Sequence, residues 1–271
     1  MARLAFDVDG SGIDVGYLAD SFNDLIGGDL AGTGCAAILS GSTSQRSGDL
    51  PGEVILLDNG PGGGSDEGAA LAELVNDLAP GTGVMFHSGF VSAATMAEGI
   101  GELLDCGAEV ILDDLIYYAE PMFQDGIIAQ AAQSAVDNGV PYLSAAGNQA
   151  DYGIHEPYED SNSSSDNLLA TPNGDDFHRF AGGDHDQYAA VTIPPGCGLL
   201  LVLQWNEPFD GTLGMGASSD LDLYLCTAPN PANCDFGSAS IQGCGVGVGA
   251  QSGDPLEIGV VGNNGSAPAT V

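Results

Sequence analysis

The chain has 271 residues, 44% of them hydrophobic, which is enough for one sizeable core or two modest ones and too many for a disordered polymer. Thirty-eight acidic residues face three basic ones, Arg3, Arg46 and Arg179, for a net charge of -35. That balance argues against nucleic acid and anionic membranes as partners, and fits a surface adapted to high salt, structural calcium held on carboxylate oxygens, or both.

From residue 12 to about 148, short apolar runs alternate with segments of helical period, the pattern of βαβ units on a parallel sheet. The runs fall at 13–19, 53–57, 83–87, 109–112 and 140–144. One helix begins near Asp66, with Leu71, Leu74, Val75 and Leu78 on one face. A second carries Met96, Ile100, Leu103 and Leu104. A third follows Pro121, a residue suited to a first helical turn, and shows Ile127, Ile128, Ala131 and Ala135 at helical spacing. Residues 151–174 read as an acidic Ser/Asn-rich linker without period. From 175 to 271, runs at 189–193, 199–205, 221–225 and 256–261 are separated by Gly, Pro and Asn turns, which predicts a small disulfide-containing β-sandwich with Trp205 in its core. The fold class is therefore α/β, a parallel-sheet domain over 1–150 followed by the β-sandwich.

Six cysteines without a CxxC pair point away from zinc ribbons and thioredoxin-like redox chemistry, and toward an oxidising compartment. Cys226 and Cys234, and also Cys197 and Cys244, are close enough in sequence to staple one small region, while Cys35 and Cys106 are read as either paired or free. No 18-residue apolar run is present, so no membrane span is expected. The opening MARLAFDVDGSG lacks a signal peptide, so an exported protein would have its natural start upstream of Met1.

Ligands of a parallel sheet collect outside the carboxyl ends of its strands. Asp20 and Ser21 follow the first run, His87 ends the third, Asp113 and Asp114 end the fourth, and Ala145, Ala146, Gly147 and Asn148 follow the fifth. Glu67 shares a helical face with Leu71, Leu74 and Leu78, which predicts a carboxylate at the buried edge of a helix N-terminus, where its ionised form is favoured. In the β-region, Asp220 and Asp222 alternate with Leu221 and Leu223 on one strand face, a solvated edge or a weak calcium site.

These residues carry a resemblance. VGYLADSFND resembles the subtilisin-like strand that ends in the catalytic Asp, here Asp20. SDEGAALAELVNDLAPGT resembles the family's His-Gly-Thr helix, with Glu67 and Gly68 where His-Gly is expected. GELLDCGAEVILDDL resembles the cleft strand, whose backbone near Asp113, Asp114 and Leu115 would pair with an extended substrate, and GVPYLSAAGNQ resembles the segment ending in the oxyanion Asn, here Asn148. The matches run from about residue 12 to 150, and IPPGCGLLLVLQWNEP with SSDLDLYLC resembles a β-domain that one branch of the family inserts before its serine motif. The resemblance implies a secreted serine endopeptidase acting on peptides or proteins, with no cofactor needed for the chemistry and structural calcium as an option.

Two departures follow. Glu67 stands where the base should be histidine, and glutamate works as a base only near its own pKa or in acid. A cluster of Asp20, Glu67 and Asp114 would raise one pKa. Sedolisin relatives use a comparable Glu, Asp and Ser, but their second helix acid falls where this chain has Leu71. His87 is a substitute base or a structural hydrogen-bonder. The second departure is that no Gly-Thr-Ser segment opening a helix follows the insert, and GASSD at 216–220 precedes a strand; the chain is expected to be a piece ending before the nucleophile and inactive alone. Two other readings stand beside this one. One is a peptidase fold that binds peptides without cutting. The other follows from LAFDVDGSG, which resembles the strand-ending DxDG of haloacid-dehalogenase-like phosphatases, with Asp7 as nucleophile and Asp9 as acid, but the cation that chemistry needs is missing.

Overall fold

A computed structural model of the chain describes residues 2–149, 152–160, 177–180, 188–227, 234–238 and 253–271. It divides into two compact units, one of Met1–Glu120 with Asp125–Ala150, the other of Pro121–Gln124 with Asp151–Val271.

The first unit is built on a seven-stranded sheet. In chain order its strands are β1 (Asp14–Ala19), β2 (Asp29–Ala31), β3 (Ile38–Ser40), β4 (Val54–Asp58), β5 (Gly83–Ser88), β6 (Val110–Asp113) and β7 (Tyr142–Ser144), and across the sheet they run β2-β3-β4-β5-β1-β6-β7. The five from β4 to β7 are parallel, and β2 and β3 add an antiparallel edge. A short helix, α2 (Thr43–Ser47), lies between β3 and β4, and helices α3 (Glu67–Leu78), α4 (Ala93–Asp105) and α5 (Ile127–Asp137) connect the parallel strands.

Strand alternation gives the sheet two apolar faces. On one, Leu56, Phe86, Tyr17 and Leu112 stand in register across four strands, and Ala69 and Ala72 of α3 pack on them. On the other, Met85, Leu18 and Ile111 meet Met96, Ile100 and Leu103 of α4 and Ala135 of α5. Gly16 makes this second packing possible, because a Cβ there would lie 3.1 Å from Leu103 Cδ1. All three helical connections step the same way across the sheet, yet α3 lies on the face opposite α4 and α5. The β4–α3–β5 crossover therefore has the opposite hand from its two successors. Parallel crossovers are almost always right-handed, so it is the left-handed exception.

The buried stripe of α3 is only in part the face that periodicity predicts: Leu71 and Val75 pack, partly buried, against the core. Gly68, Ala69, Ala72 and Asn76 are buried, whereas Leu74 and Leu78 are 65% and 77% exposed. Small residues let the helix approach closely: a Cβ at Gly68 would sit 2.2 Å from the Phe86 ring and 2.9 Å from the Ser21 carbonyl oxygen. The third helix also starts later than expected. Pro121 lies outside it, and its first turn is held by the Glu120 carboxylate, which accepts from the Ile128 and Ala129 amides, both at 3.1 Å. The N-terminal segment is a short helix, α1 (Ala2–Phe6), and Asp9 caps the Ser11 amide before β1 begins. DxDG thus precedes a strand instead of ending one, which removes the geometry a phosphatase nucleophile needs. A disulfide joins Cys35, in the turn between β2 and β3, to Cys106 at the end of α4.

In the second unit the described strands form three antiparallel pairs: β8 (Thr192–Ile193) with β13 (Ala269–Thr270), β9 (Gly198–Gln204) with β12 (Leu256–Gly262), and β10 (Leu223–Cys226) with β11 (Cys234–Ser238). One helical turn, α6 (Asp210–Leu213), appears where no helix was expected. Cys226 is disulfide-bonded and lies opposite Cys234 in the ladder, whereas Cys197 is a free, exposed thiol, contrary to its reading as a partner of Cys244; Cys244 falls outside the described residues. Most of the predicted 151–174 linker also falls outside them. Among the described residues no helix is long and apolar enough to cross a membrane.

Candidate active site

The carboxyl ends of β1, β5, β6 and β7 form one rim of the first unit, and α3 begins there because it leaves the carboxyl end of β4. Asp20, directly after β1, sits against that helix start. Its Oδ1 accepts from the Ser21 amide at 2.5 Å, the Ser21 hydroxyl at 3.2 Å and the Glu67 amide at 3.1 Å. Its Oδ2 accepts from the Ser65 amide at 2.6 Å and hydroxyl at 2.7 Å. Burial would raise this carboxyl's pKa, but the bonds from Ser65, Glu67 and Ser21 outweigh it and hold Asp20 below the ordinary aspartate range. Asp20 is the anion that satisfies the positive end of α3.

Glu67 opens that helix with its amide bound to Asp20 and its side chain exposed, not at the buried edge that sequence periodicity predicts. Partial desolvation, then the charges of Asp114 and Asp20, push its carboxyl above the ordinary glutamate range. Asp20, Glu67 and Asp114 are therefore one electrostatically coupled group.

Alternation along β6 separates Asp114 from its neighbours. Asp114 is exposed toward Glu67, and its amide bonds the Leu18 carbonyl at 3.1 Å. Asp113 is buried on the α4/α5 face, where Ser144 Oγ donates to its Oδ1 at 2.8 Å, and Leu115 packs partly into the same cluster. His87 also points to the α4 side: it is buried, its Nδ1 lies 2.8 Å from the Ser88 carbonyl oxygen, and its Nε2 is 3.6 Å from Glu102. This histidine is a structural hydrogen-bonder turned away from Asp20.

Asn148 is exposed beyond β7, two strands from β1, which is about 10 Å across a sheet. Its amide donates to Gln149 Oε1 at 3.0 Å, and among the described residues no hydrogen bond links it to Asp20 or Glu67.

Sequence reasoning missed the residues that build the rim. Asp66, 5% exposed and in the left-handed region at φ 58°, precedes α3 without capping it. Its carboxylate instead accepts the amides of Asp24, Leu25 and Ile26 at 2.6–2.9 Å. Asn59 accepts from the Phe22 and Asn23 amides and donates to Asp24 at 2.7 Å, and Asp24 accepts the Gly64 amide at 2.6 Å. These bonds fix the glycine-rich 60–64 loop over Asp20, leaving a cleft of about 290 Å³ between Asp24, Gly63 and Phe90. The signal was the run DNGPGGGSD, whose glycines and Asx residues mark an ordered turn.

In the second unit, Ser218 and Ser219 of GASSD donate amides and hydroxyls to Glu207, which also accepts the Trp205 indole N–H at 3.2 Å. Burial opposes ionisation of Glu207, but these bonds bring its pKa down to about 2, so it is no base and its serines are committed. Half-buried Trp205 thus serves this clamp. Asp222 accepts from the Tyr224 hydroxyl at 3.3 Å, Asp220 is exposed, and among the described residues no group of three or more metal-ligating side chains occurs.

No family model and no curated sequence matches the chain. Among solved structures, a crystal structure of MycP1 with the N-terminal propeptide removed is similar, at 17% identity and a TM-score of 0.31, over 61% of this chain and 52% of that one. The chain spans about half the length of that structure, and a likeness this distant leaves the functional reading to the residues themselves.

Proposed function

We propose that this chain carries the acid and base part of a secreted subtilisin-like serine endopeptidase whose base is Glu67. The observation behind this reading is the coupled group at the rim: Asp20 anchored on the start of α3, and Glu67 beside it with its pKa raised by desolvation, Asp114 and Asp20. A serine hydroxyl attacks the peptide carbonyl carbon while its proton passes to Glu67, and Glu67 returns that proton to the leaving amine. The Asn148 side-chain amide donates to the oxyanion, and the backbone beyond β6 pairs with the extended substrate. Asp20 acts by fixing the first turn that presents Glu67. The nucleophile is assigned to a serine other than Ser21 and Ser65, which donate into Asp20, and Ser218 and Ser219, which donate into Glu207. The 175–271 region is assigned as an inserted β-sandwich.

A second reading, peptide binding without cleavage, is favoured by one observation: the one histidine of residues 1–150 is turned away from the rim. One experiment separates the two. The chain joined to the serine-bearing segment that the first reading requires is assayed on casein and short peptides from acid to neutral pH. Hydrolysis that falls about 10²–10⁴-fold in Glu67→Gln supports Glu67 as base. Tight peptide binding without hydrolysis supports the second reading.

A further inference from the structure

Among the buried ionisable groups that the mechanism above does not use is the Asp113 carboxyl. It sits at the last rung between β6 and β7, opposite Ser144, with Ser144 Oγ at 2.8 Å and the Ala145 amide bonded to its own carbonyl at 3.2 Å. The next residues are Ala146, Gly147 and Asn148. Strand β7 has three residues and pairs, among the described strands, only with β6. One rung is therefore a large part of what holds the 145–148 segment in place.

We propose that Asp113 is a positioning residue whose proton state sets how firmly the Asn148 segment is held at the rim. The surroundings favour an uncharged group. The carboxyl is 7% exposed, and α4 and α5 contribute apolar residues to its face of the sheet, Met96, Ile100, Ala131 and Ala135. The ionisable neighbours are Tyr142 on β7, Asp114 next in the chain, and His87 with Glu102, across Leu18 of β1 in the same row. The Tyr142 hydroxyl is buried without a hydrogen-bond partner of good geometry, yet it lies close enough to feel the charge of Asp113. A protonated Asp113 keeps an oxygen for Ser144 Oγ and offers its O–H to the Tyr142 oxygen. An ionised Asp113 holds a charge almost out of water beside Asp114.

Burial, the largest influence, pushes the Asp113 pKa up against the opposing influence of the Tyr142 and Ser144 hydroxyls and the Leu115 amide. A carboxyl with a raised folded pKa supports the fold fully below its unfolded value, and that support is lost as pH rises through the folded one. The rung is therefore tightest in acid, the range in which a glutamate base also works. The inference rests on the assignment of Asn148 only for its catalytic consequence.

The test is amide hydrogen exchange over 142–149 across acid to neutral pH, corrected for intrinsic rates. Wild-type protection should fall by up to about tenfold per pH unit in the window above the ordinary aspartate range. Asp113→Asn should show no such dependence, and Ser144→Ala should move the window upward by removing a donor that favours the charge. A profile in Asp113→Asn matching wild type, or an unmoved window in Ser144→Ala, overturns the proposal. If Asp113→Asn does not fold, the Ser144→Ala window decides. No hydrolysis is measured, so failure here is distinguishable from failure of the peptidase reading.

Discussion

Two carboxylates on one rim carry opposite protonation chemistry. Asp20 accepts from Ser21, Ser65 and Glu67, so its folded pKa is depressed. The stability it supplies is present above its unfolded pKa of about 3.9 and is lost as pH falls through the folded value. Asp20→Ala should cost about 2–4 kcal/mol at neutral pH in urea unfolding, and the difference should shrink in acid. Glu67 has the reverse sign: its raised pKa means that ionisation disfavours the fold. Glu67→Gln should stabilise by less than about 1 kcal/mol at neutral pH, a gain that disappears as pH falls below the ordinary glutamate range. Asp20 was legible from sequence because a polar residue at a central strand end has few other reasons to be there. Asp66 was not, since its part depends on a left-handed backbone and three amides about forty residues away.

At the scale of elements, α3 shows where periodicity misleads. A helix on a parallel sheet can bury large side chains or come close on small ones, and here the Gly68, Ala69 and Ala72 stripe took the buried place while Leu74 and Leu78 stayed in solvent. Gly68→Ala should therefore destabilise by about 1–3 kcal/mol in thermal or chemical unfolding, because the added Cβ meets the Phe86 ring. An exposed-site change such as Leu74→Gln should stay within about 0.5 kcal/mol. The five parallel strands were legible because their apolar runs are bounded by turns and alternate with segments of helical period. Strands β2 and β3, three residues each, carry too little pattern to read, and the start of α5 depends on a carboxylate, Glu120, rather than on the proline beside it.

At the scale of the molecule, charge and cross-linking set the conditions for folding. With a net charge of -35 the compact state repels itself, so added salt should raise Tm by screening, a trend that calorimetry at low and high ionic strength would show. The Cys35–Cys106 disulfide spans 71 residues of sequence, and its reduction should cost about 4 kcal/mol of unfolding free energy in the chain-entropy picture. Cysteine counting suggested an oxidising compartment but gave no pairing, since pairing is a property of the folded sheet. The measurement that bears most directly on the central claim is a carbon-13 titration of the Glu67 carboxyl in the wild type and in Asp114→Asn. Glu67 as proton carrier predicts a wild-type midpoint above the ordinary glutamate value of about 4.3 and a lower one in the variant. A midpoint at the ordinary value, the same in both, would contradict it.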